Sequence, residues 1–295
     1  AISPKTGFNG ASFTSNYKYF IHTFEDKNTP LIYSLRDSKS GKLVREILDN
    51  NELLEKINPF NLSYKDFSKI NLNGEELNMW MIKPPNFNPK KKYPLLIYQY
   101  SGPGSQEVEN RWSSNRDLWH QMLAQKDFII ACLDGRGTGF KGKKFKKMTY
   151  RQLAKYETED QISFAKYLSK FSYIDKDRIG IWGWSYGGLI STNSILKGND
   201  IFSLAIAVAP VTNWRFYDTI YTERFMGLPK DNSEGYDLNS PLNFAHLLEG
   251  DYLLIHGSAD DNVHLQNTMR MVEELIQEDK QFEWMIYPDK NHGIY

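Results

Sequence analysis

Gly183-Trp184-Ser185-Tyr186-Gly187 is the stretch of this chain best suited to carry a reaction. It follows a short apolar run, Ile179–Trp182, and precedes a helical pattern that begins near Gly188. A serine between glycines on a strand-to-helix turn is a nucleophile elbow. The turn is crowded and strained, and it lifts the hydroxyl above the sheet edge. A serine hydroxyl attacks poorly at neutral pH unless a base takes its proton and an acid orients that base. Where this elbow is used, the acid and then the histidine follow later in the chain. The run Tyr252–Ile255 leads into His256-Gly-Ser-Ala-Asp260-Asp261-Asn262-Val263-His264, so Asp260 stands just past a strand end. Asp261 is the rival, and Asp260 is preferred for its distance from the strand. His264 opens an amphipathic helix and is read as local structure. The next apolar run, Phe282–Tyr287, leads into Pro288-Asp-Lys-Asn-His292. One strand–helix–strand unit separates Asp260 from His292, which predicts that they lie side by side. In this reading Ser185 attacks a carbonyl carbon and His292 moves its proton to the leaving amine. Asp260 holds the imidazole and stabilises its charged form.

The oxyanion formed by that attack needs hydrogen-bond donors. One is the backbone N–H of Tyr186, directly after the nucleophile. The second comes from the loop after an early strand, which in lipases and esterases is an HGGG-type run. Here that loop is Tyr100-Ser-Gly-Pro-Gly104, so the expected donor is the Tyr100 hydroxyl. A second glycine pattern, Gly137-Thr-Gly139-Phe-Lys-Gly142-Lys143-Lys144, nearly matches a phosphate loop but has lysine where the magnesium-binding hydroxyl belongs. Its lysines read as a solvated loop. H-E-x-x-H is absent, and no metal or other cofactor is expected. Asn61-Leu-Ser63 matches a glycosylation sequon of the kind frequent by chance.

The elements that must position these residues alternate. The apolar runs Tyr93–Tyr100, Phe128–Leu133, Ile179–Trp182, Leu204–Ala209, Tyr252–Ile255 and Phe282–Tyr287 have the continuous character of strands covered on both faces. Helical patterns lie between them; in the best, Leu265, Met269, Val272, Leu275 and Ile276 share a face. This predicts an α/β domain with a mostly parallel sheet over residues 54–295. Residues 1–53 read differently, as three short strands: Tyr17–Phe24, Thr29–Arg36 and Leu43–Leu48. Three such strands cannot bury a core alone, so they read as part of a larger β structure, and the chain reads as a fragment. With 36 basic and 36 acidic residues the formal charge is zero, which offers no field for nucleic acid. No apolar run approaches the ~20 residues of a membrane helix. The single cysteine, Cys132, excludes an internal disulfide and reads as inert packing.

Gly183-Trp-Ser185-Tyr-Gly-Gly188, Tyr100-Ser-Gly-Pro-Gly104, Asp134-Gly-Arg-Gly-Thr-Gly139, His256-Gly-Ser-Ala-Asp260-Asp-Asn-Val-His264 and His292-Gly293 resemble the prolyl oligopeptidase family. Trp214-Arg-Phe-Tyr217-Asp-Thr-Ile-Tyr221-Thr-Glu-Arg224-Phe-Met-Gly227 narrows the resemblance to the dipeptidyl peptidase IV branch. The resemblance implies an α/β-hydrolase fold preceded by a partial β-propeller blade at residues 1–53. It implies release of N-terminal dipeptides with proline, or less well alanine, second. Tyr186, Val211, Trp214, Tyr217, Tyr221 and Val263 would line the proline pocket, and Asn262 would hold the penultimate carbonyl. An aromatic slot suits a flat apolar ring. The partners implied are peptides with a free amino terminus, read by propeller residues outside this chain, and a second copy in the intact protein. A periplasmic, cell-surface or secreted setting is the family-based expectation. The alternatives are an endo-acting oligopeptidase of the same fold, an esterase, and a binding homologue with a dead site.

Overall fold

The computed structural model describes residues 5–112 and 114–295. The chain divides into two compact units. One takes in Ala1–Asp66, Ile82–Phe87 and Glu109–Phe128; the other takes in Phe67–Met81, Asn88–Val108 and Ile129–Tyr295.

The first unit carries a four-stranded antiparallel meander: β1 (Phe8–Phe13), β2 (Tyr19–Asp26), β3 (Thr29–Asp37) and β4 (Leu43–Leu48). This is consistent with a propeller blade. Sequence reading expected three strands; β1 is the fourth. Its sequence FNGASF has an Asn-Gly pair that reads as a turn, yet it pairs with β2 from Phe8↔Glu25 to Phe13↔Phe20. Phe20 and Phe24 alternate inward from β2 and are buried. The same unit holds helices α1 (Asn51–Ile57) and α2 (Ser114–Gln125).

The second unit is built on an eight-stranded sheet. In chain order its elements are β5 (Asp66–Leu72), β6 (Glu75–Ile82), β7 (Tyr93–Tyr98), β8 (Ile129–Asp134), α3 (Gly142–Lys146), α4 (Lys155–Leu168), β9 (Ile174–Trp184), α5 (Tyr186–Lys197), β10 (Leu204–Val208), α6 (Thr219–Met226), α7 (Ser233–Asp237), β11 (Asp251–Gly257), α8 (Gln266–Gln277) and β12 (Glu283–Tyr287). The strand order is β12-β11-β10-β9-β7-β8-β6-β5. From β12 to β8 every neighbouring pair is parallel. The loops that leave β7, β9, β11 and β12 at their C-terminal ends therefore rise along one rim. This is the expected α/β-hydrolase sheet. All six residues of β8 are buried, Cys132 among them, as a strand covered on both faces requires. Among the described residues, no helix is long and apolar enough to cross a membrane.

Three features depart from expectation. The pair β5–β6 did not stand out, because β5 alternates only weakly. Its signal was the two-residue turn Asn73-Gly74, with φ 53° and 81°, the positive pair that a tight hairpin turn uses. Second, β12 reads as a buried run but is the edge strand, with Trp284, Met285 and Tyr287 all exposed. Third, α8 turns a different face inward. Asn267, Thr268, Met271, Val272 and Leu275 are buried, whereas Met269 and Ile276 are 42% and 64% exposed. Counting apolar residues misses this because two polar side chains on the inner face are satisfied there. The Thr212 N–H donates to Asn267 Oδ1 at 3.0 Å, and Thr268 Oγ1 lies 2.7 Å from His256 Nδ1.

Candidate active site

Ser185 stands between β9 and α5 with φ 60° and ψ −117°, a strained conformation for a residue with a side chain. Its N–H donates to the Val208 carbonyl at 2.8 Å, and its carbonyl accepts from the Leu189 N–H at 3.1 Å. The flanking glycines are demanded by close approach. A Cβ on Gly183 would lie 2.6 Å from the backbone of Gly187 and 2.7 Å from the Gln99 carbonyl; one on Gly187 would lie 2.6 Å from that same carbonyl. The Gln99 side chain ties the turn down from β7's end, donating to the Gly187 carbonyl at 2.7 Å and to Ser191 Oγ at 3.0 Å. Tyr186 is the first residue of α5, where backbone N–H groups have no intrahelical acceptor.

Asp260 and His292 meet. His292 Nδ1 lies 2.7 Å from Asp260 Oδ2. The aspartate is buried, whereas Asp261 is exposed. Asp260 Oδ1 accepts the N–H groups of Asn262 and Val263, each at 2.9 Å. The loops after β11 and β12 are stitched together. Ser258 N–H donates to the Tyr287 carbonyl at 2.9 Å, and Ala259 N–H to the Lys290 carbonyl at 3.0 Å. Gly257 admits this contact, since a Cβ there would lie 2.2 Å from the Lys290 carbonyl oxygen. His264 is exposed at the approach to α8.

Tyr100 follows β7, and its ring lies 6.1 Å from that of Tyr186. Burial, and then the charge of Glu107, push the Tyr100 hydroxyl pKa up, so it stays a proton-bearing donor at neutral pH. The glycine-rich 137–139 segment has a structural use. Gly104 N–H donates to the Gly137 carbonyl at 2.9 Å and Gly139 N–H to the Ser105 carbonyl at 2.8 Å, which brace the loop that follows Tyr100. Lys143, Lys144, Lys146 and Lys147 are exposed as expected, but the segment is not a loop: Lys143, Lys144 and Lys146 lie on the short helix α3, whose Phe145 is buried.

The residues assigned to the proline pocket gather in one cluster. Tyr186, Val211, Trp214 and Val263 are buried in it, and Tyr100, Tyr217 and Tyr221 pack against it. Trp214 lies 5.5 Å from Tyr186, 5.8 Å from Tyr217 and 5.8 Å from Tyr221, and stacks on the last. Asn262 is exposed beside them, with its Oδ1 accepting the Tyr217 hydroxyl at 2.7 Å.

Sequence reasoning missed three residues. Trp184 Nε1–H donates to the His292 carbonyl at 2.9 Å. His256 touches Asp260, with Nε2 3.1 Å from Oδ2. Glu157, on α4, accepts the Tyr186 hydroxyl at 2.6 Å beneath the cluster. Glu157 is fully buried, which raises its pKa from 4.5 to about 8 against the pull of that hydrogen bond. Glu157 carried no signal, being one of many acids in a helical pattern. His256 was visible only as the end of a strand.

Residues 114–295 match the pattern of the prolyl oligopeptidase family. The chain belongs to that family. Within it, the chain is 40% identical to a dipeptidyl-aminopeptidase B of Arthroderma benhamiae over 297 residues, covering 99% of this chain and 32% of that one. It is 41% identical to human prolyl endopeptidase FAP over 290 residues, covering 96% of this chain and 37% of that one. The crystal structure of Porphyromonas gingivalis dipeptidyl peptidase 4 matches with a TM-score of 0.96 and 47% identity, over 100% of this chain and 42% of the other. The chain thus spans about a third of the length of the curated relatives it matches. The dipeptidyl-aminopeptidase B and dipeptidyl peptidase 4 names agree with the dipeptidyl peptidase IV branch of the family.

Proposed function

We propose that the intact protein is a serine exopeptidase that releases N-terminal Xaa-Pro or Xaa-Ala dipeptides through an acyl-enzyme on Ser185. The observation that carries this reading is the 2.7 Å contact of His292 Nδ1 with Asp260 Oδ2 on the sheet rim that also bears the Ser185 elbow. Because Asp260 accepts at Nδ1, His292 has its Nε2 lone pair for the serine proton. Ser185 Oγ then bonds to the carbonyl carbon, and the proton passes to His292. The negative oxygen falls to the Tyr186 N–H and the Tyr100 hydroxyl. Collapse breaks the C–N bond, and the departing amine takes the proton from His292. Water, deprotonated by the same imidazole, hydrolyses the ester and frees the dipeptide.

The aromatic cluster supports proline as the second residue, since rigid rings bury a flat apolar ring at little entropic cost. Tyr217 accounts for the orientation of Asn262: its hydroxyl occupies Oδ1, so the Asn262 amide nitrogen is the end presented to a substrate carbonyl. We assign residues 1–53 to the last blade of a propeller and 54–295 to the hydrolase domain.

The test uses the intact parent protein and compares a Gly-Pro anilide with its N-acetylated twin, with Ser185→Ala as control. Cleavage of the free amine alone, lost in the variant, is the expected result. Cleavage of both substrates would convert the reading to an endo-acting oligopeptidase. Cleavage of neither would overturn peptidase activity on proline substrates and leave an esterase or a binding role.

A further inference from the structure

Asp260 carries a second imidazole. His256, the penultimate residue of β11, is wholly buried. Its Nε2 lies 2.8 Å from the Val263 carbonyl oxygen and 3.1 Å from Asp260 Oδ2. Both neighbours are acceptors, so Nε2 must bear the hydrogen and share it between them. Nδ1 is then the acceptor for the Thr268 hydroxyl at 2.7 Å. Burial keeps the ring neutral against the opposite pull of Val263 and Asp260. The titratable groups that act on His256 are Asp260 and His292; Asp261 and His264, on the same loop, face solvent. The acid is thus held by four donors. Asn262 and Val263 N–H hold Oδ1, and His256 and His292 share Oδ2.

We propose that His256 is a positioning residue for the reaction: its Nε2–H, fixed in that tautomer by Thr268, pins Asp260 Oδ2 toward His292 and moderates the negative charge that His292 feels. Without it Oδ2 is left with His292 as its only partner among these four donors, and nothing on the protein side sets the direction in which Oδ2 meets that ring. This inference rests on the triad reading above.

The experiment uses the intact parent protein with His256→Gln, His256→Asn and Thr268→Val. A glutamine places its amide nitrogen where Nε2 stands, with one hydrogen for Asp260 and one for Val263. An asparagine reaches only the Nδ1 position, so it keeps Thr268 and loses Asp260. The readouts are the rate of Ser185 phosphonylation by a fluorophosphonate, which needs no peptide specificity, and Gly-Pro anilide kinetics from pH 5 to 8. Loss of one hydrogen bond to a charged group predicts that His256→Asn is about ten- to hundredfold slower in phosphonylation and kcat. KM should hold, and the acid limb should move to higher pH. His256→Gln should stay within about threefold of wild type, because the donor is restored. A folded His256→Asn with wild-type rate and pH profile overturns the proposal, as does His256→Gln as slow as His256→Asn. If His256→Asn fails to fold, Thr268→Val decides: a several-fold loss of rate is expected, and a wild-type rate overturns the proposal. Wild type that is phosphonylated but leaves the anilide intact overturns the dipeptidyl reading and leaves the His256 comparison valid. Wild type that resists phosphonylation overturns the triad, and His256's role with it.

Discussion

The indole N–H of Trp184 donates to the backbone carbonyl of His292 across 2.9 Å. This one bond joins the residue before the proposed nucleophile, Ser185, to the residue proposed as its base. The two lie 108 positions apart in the chain. His292 sits on a short loop beyond the edge strand, which the loop after β11 also holds through Ser258, Ala259 and Asp260. Trp184→Phe keeps the ring and removes the donor. We expect kcat to fall by about fivefold, in line with the loss of a neutral hydrogen bond, with the melting temperature nearly unchanged. Steady-state kinetics beside a thermal melt would check this; unchanged kcat would detach the loop from the elbow.

Ser185→Ala should remove at least about a thousandfold of turnover in the intact protein. The variant should fold normally and still bind a Gly-Pro product. Retained turnover would displace the nucleophile assignment.

Tyr100→Phe tests the side-chain donor to the oxyanion. Loss of one such donor costs about a hundred- to a thousandfold in kcat, with little change in KM. A change in KM alone would make Tyr100 a wall of the binding site instead.

Glu157 makes stability depend on pH. Its folded pKa, about 8, lies above its usual 4.5 because burial favours the neutral acid. The folded state therefore holds a proton that the unfolded chain releases, between those two values. Its contribution is full below about 4.5, declines as pH rises toward 8, and is constant above. Glu157→Gln keeps the acceptor for Tyr186 and cannot ionise. Its melting temperature relative to wild type should rise steadily from pH 5 to pH 8; parallel curves would show that Glu157 is ionised in the fold.

Gly183→Ala should be costly, since the new methyl would meet backbone atoms on two sides, at 2.6 and 2.7 Å. We expect about 1–3 kcal/mol of lost stability in urea denaturation, together with loss of activity as the elbow shifts. An active, stable variant would show that the turn can relax.

The placement of the candidate site residues was legible in the sequence because each follows an apolar strand. Ser185, Asp260 and Tyr100 follow β9, β11 and β7 within a few residues, and parallel strands bring such ends to one rim. The supporting residues were not legible, for two reasons. Glu157 and Thr268 lie on helices whose inner faces are partly polar, so hydrophobic periodicity points past them; the same polarity rotated the expected face of α8. Trp184 and His256 lie inside strands, where a large side chain reads as packing. The bond of Trp184 appears only when segments 108 positions apart are assembled, and those of His256 only when the loop after β11 folds back over it. The edge position of β12 was hidden for a related reason, since an apolar run does not say how many neighbours it has.

The parallel sheet also divides the second unit into a working rim and an idle one. Strands β9, β10, β11 and β12 begin on the side away from Ser185, so the turns that lead into them carry none of the residues assigned to chemistry. Apart from close-packed glycines such as Gly198 and Gly250, natural variation among homologues should concentrate there. It is also the place for a handle. A fluorophore or affinity peptide spliced in at Asp200, 61% exposed and ahead of β10, would report on the protein without entering its reaction.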